Sequence, residues 1–307
     1  MTQEELLKAR QELVHRMFST EGEEFFTLVR ENCRPGVLAI TDELITILRA
    51  QKNDWQGYTW WKFNPGAKGK GATQKVLYIH GGGWVMDSGI AQYTFADYLV
   101  EKLECEVWFP EYPIIPEGNG LTALEMVTEL YLRMLKECGG DGAKIAIGGD
   151  SAGAGLALSL AEHLLENEIS LPNTVLLVSP GLFSNADMRN KEEQEYCDYT
   201  AQKDPVVALK AIPTVLEKWR GPLDPTDYRI NPSCGKIHGL PTLLVFCGGD
   251  ECMERGIRTF VERAVMEDVD VRYYMRNKKI HNFVLTDPAS EAERRLIIER
   301  MLDPENN

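Results

Sequence analysis

The segment Lys144-Ile-Ala-Ile-Gly-Gly-Asp-Ser-Ala-Gly153 leaves this chain few folds to choose from. An apolar run suited to a buried strand enters Gly149-Asp-Ser-Ala-Gly153 and passes at once into the alanine-rich stretch Ala152 to Leu165, which reads as a helix. Strand, sharp turn and helix in direct succession is the setting in which a G-x-S-x-G serine projects from a strained turn. Gly149 and Gly153 lack side chains and let such a turn pack tightly, which makes Ser151 the candidate nucleophile. A glycine-rich turn capping a helix is the plainer reading, and the strand-to-helix setting weighs against it.

Short apolar runs bounded by glycine or proline alternate with helix-length segments from residue 57 onward. Strands are predicted at Tyr58 to Phe63, Val76 to His80, Glu106 to Pro110, Lys144 to Gly148, Thr174 to Ser179, Leu243 to Cys247 and Val271 to Arg276. Helices are predicted at about 90 to 103, 121 to 137, 152 to 167, 254 to 267 and 289 to 302. This alternation implies an α/β fold with a mostly parallel sheet covered on both faces. No strand pattern appears before about residue 57; apolar periodicity over 3 to 18, 23 to 32 and 38 to 50 reads as three helices. Between Pro180 and Pro241 there is no good strand, and the interval is longer than one helical crossover needs. The expected organisation is an N-terminal helical cap segment at 1–55, a core at 56–182 and 236–307, and a cap insertion at 183–235.

A second glycine segment, Val76-Leu-Tyr-Ile-His-Gly-Gly-Gly-Trp84, also follows a strand. Attack by a serine on a carbonyl puts negative charge on oxygen, and backbone N–H groups must reach it unobstructed. Gly81 and Gly82, with Ala152 beyond the nucleophile, are the expected oxyanion donors, and His80 is expected to hold the loop. A plain turn is the alternative. Neither glycine segment continues as a phosphate-binding loop or matches G-x-G-x-x-G. Trp84 and Asp150, which flank the two turns, are assigned to substrate binding. Trp84, Phe25, Phe26 and the 183 to 220 segment are candidates for an apolar pocket wall, and core packing explains each aromatic equally well.

The partners of such a serine follow it in the order acid, then histidine, each after a late strand. Leu243-Leu-Val-Phe-Cys-Gly-Gly-Asp250 presents Asp250, with Glu251 as the nearer substitute if the turn is shifted by one and Glu254 as a further competitor. Of five histidines, His15 and His163 fall on predicted helices, His80 in the glycine loop and His238 before Pro241, leaving His281 as the base.

The net charge of -14 speaks against nucleic-acid binding, which needs clustered Lys and Arg, and against anionic membrane surfaces. Seven cysteines without regular dense spacing suggest reduced thiols, and neither H-E-x-x-H nor repeated C-x-x-C points to a metal. The first ten residues lack a signal-like apolar stretch, and no run is long enough to span a bilayer, so a cytoplasmic location is the default expectation. The expected partner is a small molecule with a carbonyl that a serine can attack, with no metal, no nucleic acid and no integral membrane segment; a homodimer is admitted.

With His80-Gly-Gly-Gly83 and Gly149-Asp-Ser-Ala-Gly153 both intact, the chain resembles the hormone-sensitive-lipase-like esterases of the α/β-hydrolase fold. The likeness runs over most of residues 75 to 285 and takes in Glu111 to Glu117, Gly239-Leu-Pro-Thr, Gly249-Asp250 and Ile280-His-Asn-Phe283. It implies an eight-stranded core with a helical cap, no cofactor, and hydrolysis of short- to medium-chain acyl esters by a serine, histidine and aspartate triad. Three positions depart from the family pattern: Pro113 stands for arginine, Asp87 for glycine, and Glu251-Cys252 for proline and leucine after the acid. An amidase, thioesterase or peptidase using the same triad, or a ligand-binding receptor that has lost catalysis, are the alternative functions.

Overall fold

The computed structural model describes residues 22–32, 40–182, 195–196, 199–200, 202–204, 206–207 and 212–304. Eight strands form one sheet: β1 (Gln51–Trp55), β2 (Tyr58–Phe63), β3 (Lys75–Ile79), β4 (Glu106–Pro110), β5 (Ile145–Asp150), β6 (Thr174–Val178), β7 (Thr242–Gly248) and β8 (Val271–Arg276). Their spatial order is β1-β2-β4-β3-β5-β6-β7-β8. Strands β3 to β8 run parallel, and β1 and β2 are antiparallel additions at one edge. The α/β class and the eight-stranded core expected from the sequence are found.

Successive residues of a strand face opposite sides of a sheet, and here both sides are buried. Leu77, Ile79, Ile145 and Ile147 join one apolar cluster, while Val76, Tyr78 and Ala146 join the other. The first cluster is covered by α4 (Gly120–Glu137), α5 (Ser151–Glu166) and α7 (Glu254–Met266); the second by α3 (Ile90–Leu103) and α9 (Glu291–Leu302). The remaining helices are α1 (Gly22–Asn32), α2 (Asp42–Ile47), α6 (Ile212–Arg220) and the single turn α8 (Phe283–Thr286).

Strand β1 lies before residue 57, in a stretch with no strand pattern in its sequence. Its residues Gln51-Lys-Asn-Asp-Trp55 are polar and mostly exposed, so the alternation that marks a half-buried strand is missing. What holds it is a two-residue hairpin: Gln56 and Gly57 both have positive φ (52° and 91°), as a turn matched to the twist of its flanking strands requires. The predicted helix at 38 to 50 is shorter in the structure, confined to α2, whose first turn is capped by Thr41 Oγ1 accepting from Leu44 N–H at 3.2 Å. The predicted helix at 3 to 18 lies outside the described residues. Phe25 and Phe26 of α1 are buried in the first apolar cluster, and Lys218 of α6 lies 5.1 Å over the Phe26 ring. Helices α1 and α6 therefore touch.

The topology fixes where a ligand can sit. From β3 the chain moves outward to β4, then returns across β3 to β5 on its other side. Connections leaving in opposite directions from the carboxyl ends of neighbouring strands open a crevice there. The glycine segment after β3 and the serine turn after β5 border that crevice. Among the described residues no helix is long and apolar enough to cross a membrane, and Cys105, Cys138, Cys234, Cys247 and Cys252 form no disulfide.

Candidate active site

Strand β5 ends at Asp150 and α5 begins at Ser151, so one peptide unit must turn the chain from strand to helix. Ser151 makes the turn in the left-handed region, with φ of 53°, a strained conformation for a residue with a side chain. The two glycines exist because β3 passes close by. A Cβ on Gly149 would lie 2.2 Å from the Ile79 carbonyl oxygen, and one on Gly153 would lie 2.1 Å from it. The turn is thus pressed against the end of β3, and Ser151 Oγ is directed at His281.

His281 Nε2 lies 2.7 Å from Ser151 Oγ, across 130 residues of sequence, and both side chains are buried. On the other face of the ring, Nδ1 lies 3.5 Å from Oε2 of Glu251, which is also buried. That separation is an ionic contact, longer than a closed hydrogen bond. Glu251 is itself held: Ser179 Oγ donates to Oε2 at 2.7 Å and the Cys247 thiol donates to Oε1 at 3.3 Å.

Asp250, the acid expected from the sequence, does not face the histidine. Its carboxylate pairs with Lys203 Nζ at 3.0 Å and is partly exposed. The turn after β7 explains the difference. The N–H groups of Gly249 and Asp250 donate to the carbonyls of Arg276 and Lys279, at 2.8 and 3.0 Å, and Glu251 N–H closes back on Gly248. With the backbone pinned in this register, residue 250 looks outward and residue 251 inward.

The expected oxyanion donors are corrected at one position. Gly81 N–H donates to Asp150 Oδ1 at 3.0 Å and is occupied. Gly82 and Gly83, both at positive φ, have N–H groups that meet no protein acceptor among the described residues. Ala152 N–H is one of the first-turn donors of α5, which have no intrahelical partner. Gly82, Gly83 and Ala152 are therefore the free set, at the positive end of a 16-residue helix.

Asp150, expected to contact substrate, is a structural hub instead. Its buried carboxylate accepts from Tyr78 Oη and Gly81 N–H on Oδ1, both at 3.0 Å, and from Gln92 Nε2 (3.2 Å) and Asn282 Nδ2 (2.9 Å) on Oδ2. Trp84 lies at the site with its indole N–H donating to the Ala152 carbonyl at 3.2 Å and its ring stacked on Trp219 of α6 at 5.1 Å. His80 holds the loop as expected, with Nδ1 2.6 Å from the Gly81 carbonyl and its ring stacked on Tyr112 at 4.6 Å.

Three residues at the site were not singled out by the sequence. Ser179, at the end of β6, links Glu251 to the histidine loop by accepting from Asn282 N–H at 3.0 Å. Asn282 occupies a left-handed conformation (φ 59°) that asparagine tolerates well, and this is the one sequence signal it offered. Asp204 accepts the backbone N–H of His281 at 2.8 Å. Burial by itself pushes the His281 imidazole down, but Glu251, then Asp204 and Asp150, pull it up, and the net shift is upward from the usual histidine value. Among the described residues no cluster of three or more histidine, cysteine or acidic side chains is arranged to hold a metal ion.

Residues 76–285 match the model of a protein family described by its α/β-hydrolase fold. The chain belongs to that family. It is 27% identical over 213 residues to an esterase of Acinetobacter venetianus, covering 69% of this chain and 68% of that one. It is 26% identical over 224 residues to an acetyl-hydrolase of Streptomyces hygroscopicus, covering 72% of each. The solved structure of an esterase from the bacterial hormone-sensitive lipase family superposes with a TM-score of 0.72 at 22% identity, covering 98% of both chains. The resemblance to the hormone-sensitive-lipase-like branch drawn from the two glycine motifs agrees with these likenesses.

Because the turn has no room for a Cβ, Gly149→Ala should lower the unfolding free energy by about 1–3 kcal/mol. Urea denaturation followed by circular dichroism checks this; an unchanged midpoint would mean that the contact with Ile79 is relaxed in solution.

Proposed function

We propose that the protein is a serine carboxylesterase that hydrolyses short- to medium-chain acyl esters, with Ser151 as nucleophile, His281 as general base and acid, and Glu251 as the orienting carboxylate. The observation that carries this reading is the 2.7 Å approach of His281 Nε2 to Ser151 Oγ at a positive-φ turn, with Glu251 on the far side of the ring. Ester chemistry and short acyl groups are supported by the names of its relatives, an esterase and an acetyl-hydrolase. The two helical pieces that touch through Phe26 and Lys218 are assigned as a cap over the crevice, supported by the Trp84 to Trp219 stack.

In the first step Ser151 Oγ bonds to the ester carbonyl carbon as its proton passes to His281 Nε2. The carbonyl oxygen becomes an oxyanion that accepts from the N–H groups of Gly82, Gly83 and Ala152. Collapse of this intermediate breaks the bond to the alcohol oxygen, which leaves with the proton from His281. Water then attacks the acyl-enzyme by the same route and releases the carboxylic acid. Throughout, Glu251 fixes the imidazole tautomer and stabilises its positive form.

Turnover of p-nitrophenyl esters of increasing acyl length tests the reading directly. Ser151→Ala should abolish turnover and labelling by a fluorophosphonate; retained activity would sink the nucleophile assignment. Turnover of an amide isostere at a rate comparable to its ester would redirect the reading to an amidase.

The acid is tested by a pair of variants. Glu251→Gln should lower kcat by about 10³- to 10⁴-fold, as expected when the histidine loses its tautomer-fixing carboxylate. Asp250→Asn, which breaks only a partly exposed ion pair, should stay within about threefold of wild type. The reverse ranking would return the role to Asp250.

Catalysis needs neutral His281, whose folded pKa is raised. The acidic limb of the kcat/KM profile should therefore have its midpoint above about 6.5, the ordinary imidazole value. A midpoint below that value would contradict the acidic surroundings of the ring.

A further inference from the structure

His281 sits in a loop with little regular structure of its own. Lys278 and Asn282, on either side, both have left-handed backbone, with φ of 62° and 59°. A base carried on such a loop needs its backbone fixed from outside. Its N–H supplies the fixing point, donating to Asp204 Oδ2 at 2.8 Å. The second oxygen, Oδ1, accepts from Val206 N–H at 3.0 Å, so the carboxylate is locked within its own turn. Asp204 comes from the segment between β6 and α6, 77 residues away from His281 in sequence, and it is 1% exposed. The neighbouring Lys203 reaches Asp250, so residues 203 and 204 contact the turns that follow both β7 and β8.

Burying a carboxylate is expensive, and burial is the largest influence on Asp204, raising its pKa. The two backbone N–H groups donate to separate oxygens, an arrangement that a carboxylate satisfies and the amide of the same shape does not. The additional return from a charge is the stabilisation of positive charge on His281. The charged groups that face the ring come from three elements: Glu251 from the turn after β7, Asp204 from the insertion segment, and Asp150 from the serine turn.

We propose that Asp204 is a positioning residue for the hydrolytic reaction, a carboxylate of the insertion segment that fixes the backbone of His281 and favours its imidazolium. This rests on the reading of Ser151 and His281 as nucleophile and base. Asp204 does not touch the reacting atoms; it acts through the histidine. The insertion that covers the crevice thus also completes the placement of the base.

The test is Asp204→Asn in the full chain, with kcat and KM for p-nitrophenyl butyrate measured across pH and folding checked by circular dichroism. The amide keeps the shape and one acceptor but loses the charge. The expected result is a fall in kcat of about 10- to 100-fold, the scale of loss when a reacting group is slightly misplaced. KM should stay within about threefold, and the acidic limb of the profile should move to lower pH, because one fewer negative charge favours the imidazolium. A lower kcat with an unmoved limb would mean a purely structural role and would overturn the proposal. So would a raised KM with unchanged kcat, or wild-type values throughout. If Asp204→Asn does not fold, the same measurements on Asp204→Ser decide; failure of both to fold would mark the residue as a folding determinant and overturn the proposal. Wild-type protein that neither turns over ester nor takes a fluorophosphonate would sink the triad reading itself, an outcome distinct from an active wild type with an unaffected variant.

Discussion

The site depends on one buried carboxylate, that of Asp150. A carboxylate without solvent must be satisfied by donors from the protein, and here four donors come from separate pieces of chain: Tyr78 from β3, Gly81 from the glycine loop, Gln92 from α3 and Asn282 beside His281. Each donor fixes a different part of the site relative to Ser151, the next residue. A Cβ on Gly81 would meet Asp150 Oδ2 at 2.4 Å, so even the closeness of the loop to the carboxylate is set by the absence of a side chain. Removing one donor would leave part of a buried charge unmatched and loosen the other three. The glycine loop, the serine turn and the histidine loop are therefore parts of one hydrogen-bonded unit.

Much of this was legible in the sequence, and what was not has identifiable physical reasons. Strand β5, its turn and α5 stand out because apolar residues, glycines and a helix-forming run change over within a few positions. β1 was invisible because an exposed edge strand has no buried face to impose alternation. A glycine run announces free backbone N–H groups without saying which way each points, so Gly81 reads as an oxyanion donor although the acceptor that claims it lies 69 residues away. Asp250 and Glu251 are adjacent acids in a turn, and the choice between them is made by carbonyls of Arg276 and Lys279, which the local sequence does not contain.

The acid side of the site shows how a shift of one residue is accommodated. Glu251 is one methylene longer than an aspartate and approaches the ring from one position further along the turn. The Ser179 hydroxyl and the Cys247 thiol hold its two oxygens from behind. Ser179 also accepts from Asn282, so a single hydroxyl relates the ends of three strands, β6, β7 and β8. Fixing a longer side chain in this way limits the rotamer freedom that would otherwise blur the position of its charge.

In its proposed role as nucleophile, Ser151 would keep its reactive position by remaining in a backbone conformation that side-chain-bearing residues avoid. Such a conformation costs on the order of 1–3 kcal/mol and survives only because the surroundings allow no other. Folding and reactivity consequently compete at this one residue. A chain selected for stability alone would place glycine there and gain by relaxing the turn, and the protein that resulted would be sturdier and inert. The serine is retained at the expense of the fold that presents it.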